Sequence, residues 1–280
     1  MAEFKPREFQ TRALDLLRAA YSNGYKRVVL VATMGTGKTG LGFMVAKSAH
    51  EKSKVPAMFV CNRDSLVTQT VARFRESGFT RVARLQAGHF TKADLLYADV
   101  IVASLQTLVR VKELPKISAL LADEVHQGWV SSEKGRGLIF HYASECPIIG
   151  LTATPFTKGM GKYYAEIDGP LFQIAIQPMK ASEALKLGYI VDCDIFAPVE
   201  IDMSGVAIKQ KFGERDYAED ESAKRSMKIT GDVVSWWLRV AKDTKTIAFT
   251  VNVDHASQVT GAFQAAGVNT ELIHGYMEAK

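Results

Sequence analysis

Cysteine is scarce: the 280 residues hold three, at 61, 146 and 193, scattered and with no C-x-x-C pair. That excludes a disulfide framework and a thiolate zinc site, and leaves Cys61, Cys146 and Cys193 as expected buried thiols. No apolar run reaches the roughly 18–20 residues that cross a bilayer. The opening decapeptide, MAEFKPREFQ, has neither the build of a secretory signal nor the Arg/Ser bias of a transit peptide. A cytoplasmic protein without a membrane partner is the expectation. Low-complexity tracts are missing as well. Charge of one sign is in short supply: 35 Lys and Arg against 30 Asp and Glu leave a net +5, compatible with nucleic acid but not diagnostic of it. Hydrophobic residues make up 47% and charged residues 23%, as in soluble globular chains, and the length suits two domains of roughly 100–200 residues.

What is present is a series of short apolar runs separated by helical stretches. RVVLVA (27–32), AMFVC (57–61), VARL (82–85), DVIVAS (99–104), ALLAD (119–123) and PIIGLTA (147–153) are rich in Val, Ile and Leu and show little polar alternation. Parallel strands covered on both faces have this composition. Between the second and third, residues 63–77 set Leu66, Val67, Thr70, Val71 and Phe74 on one helical face. Strands alternating with helices predict an α/β domain built on a parallel sheet. The pattern thins after residue 170. Residues 169–203 suggest a sheet edge, a short helix and a connector, and 205–227 a charge-dense mobile insertion or hinge-side helix. Beyond 229, a helix, a strand (245–251), a second helix and a strand (270–275) predict one βαβ unit of a second α/β domain. The expected boundaries are 1–190, a connector at 191–228, and a partial domain at 229–280.

The first run leads into ATMGTGKTG, a glycine loop followed by a helix. This is the phosphate-binding pattern G-x-x-x-x-G-K-[ST] with Ala32 in its first position. Backbone amides of Met34, Gly35, Thr36 and Gly37 are expected to cradle phosphate, with Lys38 on the β- and γ-phosphates and the Thr39 hydroxyl on Mg²⁺. The helix that follows presents its positive dipole end to the same anion. Hydrolysis needs a second, acidic element, and LLADEVH (120–126) supplies one at the end of a strand. Asp123 is expected to hold Mg²⁺ and Glu124 to polarise the attacking water.

D-E-V-H followed by GLTATP (150–155) resembles helicase superfamily 2, closest to its branch of type III restriction-subunit-like, phage and repair-type DNA helicases. The resemblance implies two RecA-like domains with ATP and Mg²⁺ between them. In FKPREFQTRAL (4–14) it implies that Gln10 hydrogen-bonds adenine and Arg7 supports it. In FVCNRDSLVTQ (59–69) and VIVASLQTL (100–108) it implies nucleic-acid contacts from Arg63, Ser104, Gln106 and Thr107, DNA ahead of RNA. Thr152 and Thr154 would couple to the Asp123–His126 segment, and His126 would relay the γ-phosphate. IAFTVNVDHASQV (247–259) and ELIHG (271–275) resemble the opening of the second RecA-like domain.

The departure from the pattern is at the end. The family's further elements include an arginine finger, worth roughly 10³–10⁵ in rate in phosphoryl-transfer NTPases, and YMEAK (276–280) supplies none. A chain of this extent is expected to bind ATP better than it hydrolyses it. The function expected is an ATP-dependent nucleic-acid motor. A motor part of a restriction or repair complex, with other subunits as partners, and a nucleotide-gated nucleic-acid binder are the alternatives. A metabolic kinase gives D-E-V-H and T-A-T-P no role. Trp236 and Trp237, at helical spacing in VVSWWLRVA, read as core and interface before they read as base-stacking groups.

Overall fold

Short runs of Val, Ile and Leu form strands here because both faces of the sheet are covered, so neither side chain of an alternating pair has to be polar. The structure is a computed structural model and describes residues 4–89, 92–155, 171–196, 204–211, 214–227, 230–275 and 277. Contacts divide the chain into two units, Met1–Asp192 and Cys193–Lys280.

In the first unit, β1 (Arg27–Val31), β2 (Ala57–Cys61), β3 (Val82–Leu85), β4 (Val100–Ser104), β5 (Leu120–Ala122), β6 (Ile148–Thr152) and β7 (Ile174–Ile176) form one all-parallel sheet. Their order is β3-β4-β2-β5-β6-β1-β7. The six apolar runs of the sequence are the first six strands, each end within one residue of expectation, and β7 is the expected sheet edge. Successive side chains point to opposite faces and feed two separate cores. Val28 and Leu30 join α1 (Glu8–Ser22), α2 (Lys38–Ser53) and α3 (Asp64–Glu76) through Ala13, Leu17, Leu41, Phe43, Val67 and Phe74. Val29 and Val31 join the other face, where Leu108 and Trp129 pack with Leu138, Ile139 and Tyr142 of α6 (Glu133–Ala143). A Cβ on Gly42 would lie 2.5 Å from the Phe59 ring, so the glycine lets α2 lie flush on β2. On α3 the expected face is the buried one: Val67, Thr70, Val71 and Phe74 are covered and Leu66 partly so.

Two short helices, α4 (Lys92–Leu96) and α5 (Leu105–Leu108), flank β4 in sequence, and α7 (Ala181–Lys186) follows β7. β1 and β2 are not neighbours, since β6 and β7 flank the one and β4 and β5 the other. The chain runs from β1 through β2 to β3 at one edge and then back through β4, β5 and β6 to β7 at the other, and in open α/β sheets ligands bind at the carboxyl ends of strands where the path diverges in this way.

The second unit holds an antiparallel hairpin, β8 (Ile208–Lys211) with β9 (Glu214–Tyr217), then α8 (Glu219–Met227), α9 (Thr230–Val240) and α10 (Val253–Ala265). The stretch expected as a mobile insertion or a helix thus contains a hairpin as well as a helix. Charged residues hid it: IKQK and ERDY are four-residue segments with no run of large apolar residues to read. Two further corrections concern 245–251 and 270–275, which form no strand in the described residues. Composition favours strand there, but a strand exists only as part of a ladder, and Ile247, Phe249 and Ile273 are each more than four-fifths exposed. The helix between them is present, capped by Asn252, whose Oδ1 accepts the His255 N–H at 2.9 Å. Trp237 on α9 packs edge-on against Phe263 at 5.4 Å and donates its indole N–H to Thr246. Cys61 and Cys146 are buried, and burial pushes both thiols up to about 12. Cys193 is exposed, a correction to its expected burial, because it lies in the stretch 191–196, which has no regular secondary structure and is exposed throughout.

Candidate active site

β1 ends at Val31 and hands the chain to the glycine loop, whose Ala32 N–H still bonds Thr152 of β6 at 2.9 Å. Gly35 (φ +76°) and Gly37 (φ +97°) take left-handed conformations that side chains strain against, and Gly37 is the N-cap of α2. Lys38 and Thr39 therefore open the helix, where the first amides have no intrahelical acceptor and favour an anion. Thr36 is fully buried and its hydroxyl donates to Thr33 O at 2.6 Å. The loop's carbonyls are held from outside. Arg7 Nη1 donates to Thr36 O at 3.0 Å, and Gln10 Nε2 donates to Gly37 O at 3.2 Å. Gln10 is fixed in turn, since its Oε1 accepts the Arg7 N–H at 2.8 Å. One amide hydrogen and one lone pair remain on the Gln10 side chain, enough for a donor–acceptor pair with a base edge.

The acidic element follows β5. Asp123 N–H bonds Val60 O at 2.9 Å and stays in line with the sheet, whereas Glu124 turns sharply at φ +42°. That is left-handed backbone for a residue that rarely adopts it, a form of strain that gathers at functional sites. The turn brings Glu124 Oε1 to 2.6 Å from Lys38 Nζ, in an ion pair with only 14% and 28% of the side chains exposed. Glu124 Oε2 is buried without a hydrogen-bond partner and has His126 Nδ1 at 3.5 Å. His126 Nδ1 also lies 2.9 Å from Thr152 Oγ1, which accepts the Thr154 N–H at 3.0 Å. Burial, and after it the neighbouring Glu124, push the Asp123 carboxyl up to about 6, against the opposing pull of Lys38.

Lys38, Glu124, His126, Thr152 and Thr154 are thus joined in one chain of contacts at one end of the sheet. Among the described residues no three His, Cys, Asp or Glu side chains gather in a way that could hold a metal ion.

The residues expected to touch nucleic acid divide by exposure. Arg63, the N-cap of α3, and Gln106 on α5 are exposed, and Thr107 is half-buried with its hydroxyl accepting the Ala87 N–H at 3.1 Å. Ser104 is fully buried and its Oγ caps α5 by accepting the Thr107 N–H at 3.2 Å. Its hydroxyl is therefore spent on shaping the surface that Gln106 and Thr107 present.

Asn62 and Gly40 escaped the sequence reading. Asn62 links that surface to the acidic turn: Gln106 Nε2 donates to its carbonyl, and its own Nδ2 donates to Glu124 O at 3.4 Å and Gln127 Oε1 at 3.2 Å. Its one signal was its place directly after β2. Gly40 is the other. A Cβ there would lie 3.1 Å from the Phe4 ring and 3.2 Å from Gln10 Nε2. The second glycine of G-K-T-G is thus the gap into which the first turn of α1 fits. Gly40→Ala should leave stability nearly unchanged, because roughly 1 kcal/mol of helix propensity offsets the crowding. It should still displace Gln10 and weaken binding of a fluorescent ATP analogue roughly 3–10-fold. Unchanged affinity in the titration would show that Gln10 plays no part in holding nucleotide.

The family model described as "Type III restriction enzyme, res subunit" matches residues 3–157, from ahead of α1 to just past T-A-T-P. The chain is 25% identical over 276 residues to the "Type I restriction enzyme EcoAI endonuclease subunit" of Escherichia coli, covering 92% of this chain and 34% of that one. It is 24% identical over 289 residues to a Schizosaccharomyces pombe protein described as a mitochondrial ATP-dependent helicase, irc3, covering 97% and 45%. The chain therefore spans between a third and a half of these relatives' lengths. Among solved structures it is similar to an ATP-dependent Type ISP restriction-modification enzyme, LlaBIII, bound to DNA (TM-score 0.57, 14% identity, 95% of this chain and 22% of that one). It is also similar to the Hef helicase domain of Pyrococcus furiosus (TM-score 0.51, 18% identity, 94% and 54%). At these identities the two structures establish a shared RecA-like fold.

Proposed function

We propose that this chain, which belongs to the type III restriction enzyme res-subunit family within helicase superfamily 2, is the ATP-hydrolysing part of a nucleic-acid motor that works on DNA. The observation that carries the reading is the meeting of three distant segments: Lys38 on Glu124 at 2.6 Å and His126 on Thr152 at 2.9 Å. A phosphate loop alone would serve a kinase. A histidine tying the acidic turn to T-A-T-P gives the nucleotide state a mechanical outlet, which a kinase does not need.

In this reading Lys38 leaves Glu124 for the β- and γ-phosphates, while the amides of Met34, Gly35, Thr36 and Gly37 cradle them. Thr39 and Asp123 would hold Mg²⁺, which supplies charge neutralisation on the phosphate oxygens. Glu124, freed of its cation, accepts the proton of the attacking water. Gln10 and Arg7 hold the base. His126 and Thr152 pass the change at Glu124 to Thr154. Arg63, Gln106 and Thr107 bind the polymer's phosphates on a surface that Ser104 shapes. Contacts of that kind position a duplex or strand without reading its sequence.

DNA is favoured because one similar solved protein was bound to DNA and one relative is named as a restriction endonuclease subunit. The same names favour a place beside other subunits of a restriction or repair assembly. The proposed setting is the cytoplasm, and no helix among the described residues is long and apolar enough to cross a membrane. We assign residues 1–190 to the ATP-binding domain, 191–228 to a connector and 229–280 to the beginning of a second RecA-like domain.

The test is steady-state ATP hydrolysis of the chain, alone and with single-stranded DNA, duplex DNA or RNA, beside Lys38→Ala. DNA should stimulate turnover most, and Lys38→Ala should lower it by roughly 10²-fold or more. If ATP binds and no polymer raises turnover, the motor reading fails for this chain and nucleotide-gated binding takes its place.

A further inference from the structure

After β7 the first unit does not simply end. Met179 and Ala184 bury themselves against Phe9 at the start of α1, and Tyr189 and Ile190 pack on the same small cluster. Glu183 of α7 adds an exposed ion pair to Arg12 at 2.6 Å. The helix closes with Gly188 in a left-handed turn (φ +68°), and the Tyr189 N–H returns to Ala184 O at 2.9 Å. The turn aims the next two side chains at the candidate nucleotide site. The Tyr189 ring lies under Arg7, with the guanidinium carbon 4.6 Å from the ring centroid. Ile190 Cγ2 stands 3.8 Å from where a Cβ on Gly35 would be, against the phosphate loop itself.

Arg7 is consequently held in two ways, by the Thr36 carbonyl at 3.0 Å and by the face of Tyr189. It nevertheless remains exposed. A guanidinium held over one ring and still exposed has surface left for a second planar partner, and a nucleotide base is one. No other aromatic ring lies against the Arg7 guanidinium among the described residues.

We propose that Tyr189 is a positioning residue for base recognition: it fixes the Arg7 guanidinium so that the purine of a bound nucleoside triphosphate stacks on it. The segment 179–190 is then the base-side wall of the site, contributed from the far end of the unit. The inference rests on reading the glycine loop as an ATP site and adds to it the means by which the base is selected.

The experiment is calorimetric titration of the full chain with two magnesium complexes, a non-hydrolysable ATP analogue and inorganic tripolyphosphate, which has no base. Tyr189→Leu keeps the apolar contact with Phe9 and removes the ring, while Tyr189→Phe keeps the ring. Tyr189→Leu should weaken the ATP analogue roughly 3–20-fold and leave tripolyphosphate unchanged, and Tyr189→Phe should bind as the parent does. Arg7→Ala should cost a similar factor, and adding Tyr189→Leu to it should cost nothing more. Equal losses for both ligands, no loss for either, or losses that multiply in the double variant would overturn the assignment. A parent chain that binds neither ligand, or a Lys38→Ala chain that binds both as well as the parent, would instead remove the ATP site on which the proposal stands.

Discussion

Glu124→Gln should lower ATP turnover by roughly 10²–10⁴-fold, the range for losing a general base, while nucleotide binds at least as tightly as before. The two effects separate because the proposed mechanism gives Glu124 two tasks, partner of Lys38 and base for the attacking water. Without nucleotide its Oε1 holds Lys38 at 2.6 Å in a mostly buried pair, so phosphate has to compete with a carboxylate for the lysine. An amide competes poorly. The lysine of the variant is left short of a counter-charge, a state costly in a buried setting and relieved when phosphates arrive. Affinity therefore rises as turnover falls. Glutamine also preserves shape: it is a near-isostere and no better suited to φ +42° than glutamate, so the strained turn carries over unchanged. The check is single-turnover hydrolysis beside equilibrium binding. A variant that binds ATP more weakly and hydrolyses bound ATP at the parent rate would make Glu124 a structural partner of Lys38 and nothing more.

Much of the first unit was legible in the sequence because each of its signals is local. A strand buried on both faces is written as an unbroken apolar run, and Val28–Val31 serves both cores whichever face is considered. The phosphate loop and D-E-V-H are likewise contiguous, and the sheet does the rest by bringing their ends together. What the sequence did not disclose comes from distant segments meeting. Phe4 and Gln10 lean over Gly40, Asn62 lies between Gln106 and Glu124, and a turn after α7 returns Tyr189 to Arg7. None of these pairings has a period or a spacing. The second unit was harder for the opposite reason. The runs at 245–251 and 270–275 have strand composition, but pairing depends on neighbours, and in the described residues they find none. The β8–β9 hairpin has pairing without the composition.

Asp123→Asn should make the protein without added nucleotide more stable at pH 7–8 and sharply reduce the gain in stability that Mg²⁺ and ATP give. The carboxyl is mostly buried beside Glu124, and its proton affinity is raised from an ordinary 3.8 to about 6. A folded-state value above the unfolded one means that the native protein binds more protons than the unfolded chain between those two pH values. Stability from this group is then full below about pH 4 and is lost as pH rises through about 6. At neutral pH the ionised carboxylate costs up to about 3 kcal/mol, since each tenfold change in proton affinity is worth ~1.4 kcal/mol. Asparagine is close in shape and carries no charge to desolvate. In thermal melts it should raise Tm by roughly 3–10 °C at pH 8, since 1 kcal/mol moves a unit of this size by about 2–4 °C. The difference should vanish toward pH 4, where the parent carboxyl is protonated. Saturating Mg²⁺ and ATP should reverse the order: the parent gains on the order of 2–4 kcal/mol from a ligand at 100–1,000 times its Kd, and the variant far less. On the proposed reading, the same burial that makes the charge of Asp123 costly is offset when a cation arrives with phosphate. A variant less stable than the parent at pH 8, or stabilised equally by Mg²⁺ and ATP, would show that Asp123 carries a structural hydrogen bond and not a charge held ready for metal.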